Sequence, residues 1–198
     1  MGEPGRREAH KLATRQALQQ AALRMFEQHG YAATTVRDIA SAAGVTERTF
    51  FRYFPSKEDL VLGEIVDLIP VLQEQVRARP AGEPPYTAVL QALLSIAAQR
   101  GGIAILFSGP PVRLLSQPTR PAQPVVRKLE DSLAAALAER AGESDPPRPT
   151  LCTSVLARAC VAAMRSVLIA YSSLPEPDRT LERALNLIRE AFAALREG

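Results

Sequence analysis

The short segment that follows Val45 carries polar side chains of the types that contact DNA. Once the apolar residues of this segment are assigned to the interior, its outward face consists of Thr46, Glu47, Arg48, Thr49 and Arg52. Arginine can bind guanine through two hydrogen bonds, threonine can contact a thymine methyl or a phosphate, and glutamate can accept a hydrogen bond from cytosine. Tyr53 and Lys57 lie on the flank, where a phenol and an ammonium suit phosphate oxygens. The pattern indicates base readout framed by phosphate contacts.

Two short helices joined by a tight turn would position these side chains. Thr35 and Asp38 have the form of a capping box for a helix that ends near Ala43. Gly44 permits a tight turn, and Thr46 can cap the helix that carries the polar face. This arrangement fits a helix-turn-helix, in which Thr35 and the nearby amides also offer a phosphate contact. A generic helical hairpin is the alternative on spacing alone.

The rest of the chain has the hydrophobic period of helices and few runs rich in β-branched residues. We predict an all-α fold of about nine helices with no strand. A first helix is expected over residues 8–29, after a disordered start, and a fourth from Ser56 to about Pro70. Two strongly amphipathic helices end the chain. The expected domains are a three-helix head over residues 1–54 and a helical body over residues 55–198.

The formal net charge of +3 lies entirely in the head. Residues 1–54 contain eight Lys and Arg against five Asp and Glu, whereas residues 55–198 contain sixteen of each kind. A basic head is expected of a part that meets a polyanion. Because the excess is small, chance clustering is an alternative explanation of this balance.

The chain lacks the sequence signatures of common enzymes. It has no HExxH, GxSxG, P-loop or glycine-rich dinucleotide motif, and its two His both lie in the head. We therefore expect no catalytic residue, no metal and no cofactor. Cys152 and Cys160 are too few for a disulfide framework and are expected to be buried or half-buried in a reducing compartment. No apolar stretch looks long enough to span a bilayer, so we expect a cytoplasmic protein without a membrane partner.

The stretch FEQHGYAATTVRDIASAAGVTERTFFRYFPSKEDL resembles the N-terminal domain of the TetR family of regulators. The resemblance runs from about Ala17 to Leu62, and no comparable motif follows it. It is carried by residues in the family's register, namely Phe26, Gly30, Thr34, Thr35, Ile39, Ala40, Ala43, Gly44, Val45, Thr49, Tyr53, Phe54 and Lys57. The resemblance implies a DNA-binding transcriptional regulator whose helical body binds a ligand and forms a dimer.

The resemblance also implies particular DNA contacts for the head. Side chains expected to face bases are Arg37, Glu47, Arg48 and Thr49, and the position of Arg37 can also reach a phosphate. Side chains expected to contact phosphates are Thr35, Arg52, Tyr53 and Lys57. One departure concerns position 51, which is often Tyr in similar sequences and is Phe here. Because Phe51 cannot donate a hydrogen bond, its contact would be apolar, with a thymine methyl or a sugar.

The last two helices are expected to form a homodimer, as the resemblance implies, so that two heads bind a two-fold-related operator. Each helix has a continuous apolar stripe, and a pair from each protomer could form a four-helix interface. The expected interface residues are Val155, Leu156, Ala159, Ala163, Val167, Leu181, Leu185, Ile188 and Phe192. Burial of the same stripes in the protomer's own core is the alternative, and broad stripes could do both.

The middle helices are expected to enclose a pocket for an unidentified small-molecule effector. Its candidate lining is Leu68, Leu90, Leu94, Ile103, Phe107, Leu115, Leu129, Leu133, Met164 and Arg165. Since nearly all of these are apolar, an apolar or amphipathic molecule is favoured over a sugar or a nucleotide. The alternative is that each residue belongs to the plain core.

We predict a repressor that effector binding releases from a palindromic operator. The effector would move the fourth helix, which joins pocket and head, and so change the distance between two recognition helices. Half-sites in the major groove need a spacing of about 34–36 Å or a multiple of it. Alternatives are an activator, a regulator without an effector, and a helical small-molecule-binding protein whose DNA binding is vestigial.

Overall fold

A computed structural model describes residues 4–100, 107, 123–142 and 148–197, and all regular structure within these residues is helical. The head contains α1 (Pro4–His29), α2 (Val36–Ala42) and α3 (Glu47–Tyr53). The body contains α4 (Lys57–Arg77), α5 (Pro85–Arg100), α6 (Gln123–Ala141), α7 (Leu151–Ser172), a 3-10 helix (Glu176–Asp178) and α8 (Leu181–Glu197). The all-α prediction is confirmed, with eight α-helices in the described ranges where about nine were expected.

Side-chain caps begin the helices where the sequence predicts them. The Thr35 hydroxyl accepts from the Asp38 amide at 3.2 Å, and the Asp38 carboxylate accepts from the Thr35 amide at 2.9 Å, which closes the capping box of α2. The Thr46 hydroxyl accepts from the Thr49 amide at 3.2 Å, and an equivalent serine bond caps α4. Each cap satisfies an amide that the first helical turn leaves without a partner. The starts of α2, α3 and α4 are therefore fixed locally.

A glycine in the left-handed region separates α2 from α3. Gly44 has a φ of 69°, a conformation that is strained for residues with a side chain. This turn lets the Val45 amide donate to the Ala40 carbonyl oxygen at 2.9 Å. The two short helices of the helix-turn-helix are thereby held at a fixed angle.

Two helices extend beyond their predicted bounds. α1 begins at Pro4, because proline suits a first turn, where its missing N–H has no partner to lose. α4 continues through Pro70 to Arg77, although Pro70 removes one hydrogen bond from the helix interior. Ile69 and Leu72, on either side of Pro70, are 3% and 4% exposed, and their burial offsets that loss.

The helices pack around two hydrophobic cores, and α4 belongs to both. The head core consists of Leu18, Ala21, Ala22, Phe26, Ile39, Ala40, Phe50, Phe54, Leu60 and Val61. The body core includes Leu62 and Ile65 of α4 and continues through α5, α6, α7 and α8. The predicted domain boundary after Phe54 therefore leaves out two residues of α4 that complete the head core.

α7 forms the centre of the body. At 22 residues it is long and apolar enough to cross a membrane by length and composition, which differs from the expectation that no stretch is. α7 packs against α5, α6 and α8, and Ala157, Cys160 and Val161 are buried in the body core. The core helix of a protein passes the same test, and 39% of the apolar window of α7 is buried.

The two cysteines of α7 lie in different surroundings. Cys160 is buried, as predicted, and burial raises the pKa of its thiol to about 12. Cys152 is exposed, contrary to the prediction, because it lies in the first turn of α7, outside the core.

Candidate nucleic-acid interface and body cavity

One face of α3 is formed by exposed side chains. Glu47, Arg48, Phe51 and Arg52 recur with the helical period, and each of them is exposed. We call this set the outer face of α3. On the opposite side, Phe50 is 0% exposed and packs in the head core. Because that buried side fixes the rotation of α3, the outer face is held toward solvent, where a duplex can reach it.

Of two residues that the resemblance places against DNA, Phe51 is exposed and Thr49 is half-buried. Thr49 is half-buried, and its hydroxyl lies 3.1 Å from that of Thr46, so it belongs to the cap of α3. Phe51 is 51% exposed and lies in the middle of the outer face. The helical period already contained this signal, since position 51 follows Glu47 by about one turn. Phe51 is therefore more accessible to a base than Thr49, whose base-facing role stays a prediction.

Arg52 and Tyr53 form a stacked pair at the C-terminal end of α3. The Arg52 guanidinium carbon lies 5.1 Å from the centroid of the Tyr53 ring, and Arg52 Nη2 donates to Tyr53 Oη at 3.4 Å. Stacking restricts the guanidinium while it stays exposed. Two of the four side chains that were predicted to contact phosphates therefore lie side by side at one end of the outer face.

The first turn of α2 presents Thr35 and Arg37 to solvent. The Thr35 hydroxyl donates to the Asp38 carboxylate at 2.6 Å, so its hydrogen is already used within the capping box. These bonds from Thr35 hold the pKa of Asp38 below its ordinary value. A hydrogen bond from Thr35 to a phosphate would require the hydroxyl to exchange its partner, whereas Arg37 already extends into solvent.

Lys57, which was predicted to contact a phosphate, is engaged within the protein. Its ammonium donates to the carbonyl oxygens of Tyr31 at 2.8 Å and Thr34 at 2.7 Å, and it lies 3.7 Å from the centroid of the Tyr31 ring. Burial lowers the pKa of Lys57. An ammonium has three hydrogens, so a phosphate could take only the remaining one. In this geometry Lys57 holds the turn between α1 and α2 on the start of α4.

Tyr31 completes this attachment. Its hydroxyl donates to Glu58 Oε1 at 2.7 Å, and its ring centroid lies 5.1 Å from that of Phe26. Burial, followed by the bond to Glu58, raises the pKa of Tyr31, and the same bond lowers the pKa of Glu58. We call Tyr31, Thr34, Lys57 and Glu58 the turn anchor, because together they fix the α1–α2 turn on α4.

The body contains an apolar cavity with about 70 Å³ of free volume. Its walls come from α4, α5, α6, α7 and α8. The predicted lining residues that border it are Leu68, Phe107, Leu129, Met164 and Arg165. Among the described lining residues, Arg165 alone carries a charge. The sequence therefore predicted several of the residues that line the cavity, including the charged Arg165.

Other predicted lining residues lie elsewhere. In α5, Leu93 and Ile96 border the cavity in place of Leu90 and Leu94. Leu133 is 1% exposed and packs within the body core, away from the lining. A helix that is apolar on most sides does not reveal from its sequence which side faces a cavity. Ile103 and Leu115 lie outside the described residues.

The predicted dimer residues separate into two groups. Buried in the protomer's own core, and so closed to a partner, are Ala163, Val167, Ile188 and Phe192. The second group is accessible to solvent: Leu156, Ala159 and Leu185 are half-buried, and Val155 and Leu181 are exposed. The stripes of α7 and α8 therefore serve first to pack the two helices into the body, and only their margins remain accessible.

A second, outer face of α7 is accessible along most of its length. Exposed positions recur at Leu151, Val155, Ala162, Ser166 and Ile169, all on one side of the helix. Leu151 and Val155 are 82% and 55% exposed. Arg158, which interrupts the face, pairs with Glu130 of α6 at 3.7 Å. A long face of apolar and small residues is typical of a surface that another protein covers.

Comparison with known proteins finds a family match within residues 18–63. Residues 18–63 match the family model described as bacterial regulatory proteins, tetR family. The HTH-type transcriptional regulator TcmR of Streptomyces glaucescens is 40% identical over 93 residues, which are 47% of this chain and 41% of that protein. The match therefore spans less than half the length of this curated relative.

The whole architecture matches solved TetR structures. Thermus thermophilus FadR, a TetR family transcriptional repressor solved in complex with lauroyl-CoA, aligns with a TM-score of 0.64 at 25% identity, over 93% of this chain and 94% of that one. A TetR transcriptional regulator from Rhodococcus sp. RHA1 aligns with a TM-score of 0.65 at 22% identity, over 94% and 97%. Residues 18–63 therefore match the TetR family model, and the chain shares the fold of solved TetR-family regulators, which confirms the resemblance seen in the sequence.

Replacement of Tyr31 by Phe tests the turn anchor through the pH dependence of stability. The bond from Tyr31 lowers the folded-state pKa of Glu58, so the unfolded chain binds more protons in acid. The contribution is therefore present above the unfolded pKa of about 4.3 and is lost as pH falls through the lower folded pKa. We expect Tyr31→Phe to lower the free energy of unfolding at pH 7 by about 0.5–1 kcal/mol, since the pair is exposed to solvent, and by less in acid.

Denaturant unfolding between pH 3 and pH 7 measures this difference. Tyr86→Phe, a half-buried tyrosine of the body, is the control and is expected to show no such pH dependence. A loss in Tyr31→Phe that is equal at every pH would contradict the assignment of Glu58 as the acceptor.

Proposed function

We propose that the chain is a transcriptional regulator that binds a two-fold symmetric operator as a homodimer and leaves it when a small molecule fills the body cavity. The observation that carries this proposal is the outer face of α3, exposed on a helix that the head core holds from behind. The match of residues 18–63 and the functions of the similar proteins support the same conclusion. We infer that the chain acts as a repressor in the cytoplasm and has no catalytic activity.

The outer face of α3 has the chemistry to read a base sequence. Arg48 can bind guanine through two hydrogen bonds, and Phe51 can contact a thymine methyl. Glu47 can accept a hydrogen bond from cytosine and repels phosphates, so it favours the base edges over the backbone. Arg52 at the end of α3 and Arg37 on α2 suit phosphate oxygens on either side of the groove.

The outer face of α7 supports dimerisation. Ala162 and Ser166 are small and lie in its middle, and Val155 and Ile169 lie on either side of them. Small residues let two helices approach closely while the flanking apolar side chains interdigitate. A two-fold axis would pair this face with itself, and the adjoining α8 would bury Leu181, which is 43% exposed.

The composition of the body cavity supports an amphipathic effector. Apolar walls favour an aliphatic body, and Arg165 offers a charged contact for a polar or anionic end. The similar Thermus thermophilus repressor was solved in complex with lauroyl-CoA. We infer that the effector of this chain is an acyl compound or a similar aliphatic amphiphile.

The size of the cavity supports release by mechanical coupling. Its free volume of about 70 Å³ is well below the roughly 300–1,000 Å³ of ligand pockets, so an effector must displace the walls. α4 supplies Ile65, Leu68, Ile69 and Leu72 to those walls. Opening the cavity would therefore move α4, and with it the head. An effector that prefers the opened state shifts the population toward it.

Selection of bound fragments from random duplex DNA tests the proposal. We expect the protein to enrich a two-fold symmetric site. Arg48→Ala is expected to cost about 1–3 kcal/mol per half-site and to relax the preference at one guanine, because a bidentate contact is lost. Arg127→Ala removes the same charge from an exposed position of α6 and is expected to leave affinity and preference unchanged.

Binding without sequence preference that disappears with added salt would contradict the proposal. That result would favour a helical small-molecule-binding protein with vestigial DNA binding. Transcription from the selected site distinguishes the proposed repressor from an activator.

Ala162→Glu tests dimerisation through α7. Two glutamates would face each other within an apolar contact, where their charges have no partner. Sedimentation is expected to show dimer affinity weakened by at least about 100-fold. Ala81→Glu, in the exposed turn after α4, is the control and is expected to remain dimeric. An unchanged dimer in Ala162→Glu would exclude this face as the interface.

A further inference from the structure

Asp67 joins the cavity helix to the first helix of the head. Its Oδ2 accepts a hydrogen bond from Gln19 Nε2 at 2.8 Å and pairs with Arg15 Nη2 at 3.2 Å. Gln19 is 6% exposed, so its side-chain amide depends on this carboxylate rather than on water. Arg15 and Asp67 are partly exposed. The three residues, which we call the α1–α4 clamp, form a contact between two helices in which the Gln19 amide is buried and the ion pair is partly exposed.

Gly63 gives Arg15 the space to reach Asp67. A Cβ atom at position 63 would lie 3.1 Å from Arg15 Nη2 and 3.4 Å from Phe54 Cε1. The Arg15 guanidinium carbon lies 5.7 Å from the centroid of the Phe54 ring, which belongs to the head core. Gly63 lies one helical turn before Asp67 on α4. The Arg15 guanidinium therefore crosses α4 at Gly63 and lies between the head core and the Asp67 carboxylate.

The clamp is the second of two polar attachments along α4. The turn anchor holds the start of α4 through Lys57 and Glu58, and the clamp holds it at Asp67. Asp67 follows Lys57 by ten positions, which corresponds to about 15 Å along the helix axis. The buried Leu60 and Val61 hold the head core on α4 between these two attachments. Two attachments this far apart fix the direction of the head relative to the helix.

We propose that Asp67 is a positioning residue for operator binding, because the clamp sets the direction of each head and so the distance between the two recognition helices of the dimer. This inference rests on the proposed function. Asp67 directly precedes Leu68 and Ile69, which line the cavity. The same short stretch of α4 therefore carries the cavity wall on one side and the head on the other. Half-sites accept only spacings near one helical turn or a multiple of it, so the direction of the heads decides which operators bind.

The test compares operators of different half-site spacing, with the full-length dimer and without any effector. The symmetric site selected by the wild type is synthesised with its own spacing and with one or two base pairs added or removed. Asp67→Asn is expected to reduce the preference for the selected spacing by about threefold to tenfold, since the heads gain freedom. Glu74→Gln, which removes an exposed carboxylate elsewhere on α4, is expected to keep the full preference.

A second variant keeps the test decisive. If Asp67→Asn lowers the thermal midpoint so far that the head unfolds, Arg15→Gln removes the ion pair and leaves the bond between Gln19 and Asp67 in place. Equal weakening at every spacing, in whichever variant folds, would overturn the inference and leave the clamp a purely structural contact. If the wild type selects no two-fold site, the proposed function fails, and this inference fails with it.

Discussion

α4 is buried in two hydrophobic cores at once, and the relation between head and body depends on that burial. Leu60 and Val61 are completely buried in the head, and Leu72 and Val76 are buried in the body. Each buried aliphatic side chain contributes about 1.5–3 kcal/mol, which exceeds the worth of an exposed ion pair. Removing either end of α4 from its core would expose these side chains and lose that free energy. A displacement of α4 at the cavity is therefore expected to move the head as well.

The cavity beside α4 and the hydrogen bond missing at Pro70 are the two features that would let α4 bend. Pro70 removes one helix hydrogen bond beside Ile69 and Leu72, which line the cavity. Bending at that point is easier than elsewhere on the helix. Coupling between two sites in proteins is commonly about 1–3 kcal/mol, and displacement of apolar walls supplies energies of that order. In the proposed mechanism, the turn anchor and the clamp would carry that displacement into the direction of the head.

Features that depend on neighbouring residues could be predicted from the sequence, and features that depend on distant ones could not. The caps at Thr35 and Thr46 and the turn at Gly44 form within a few residues and stand where their types indicate. Lys57 binds carbonyls 26 and 23 residues earlier, a contact that exists only in the folded protein. The apolar stripe of α7 was identified as such, but whether its residues face the body or a partner depends on which helices surround it.

Filling the cavity by substitution tests the transmission through α4 most directly. The chain contains no Trp, so Met164→Trp places a single indole at the cavity wall, and its emission reports burial. The added volume is expected to push the walls apart and displace α4. We predict a blue-shifted emission together with weaker binding to the selected operator, while circular dichroism shows unchanged helix content. A buried indole with unchanged operator affinity would contradict the claim that the cavity and the head are joined through α4.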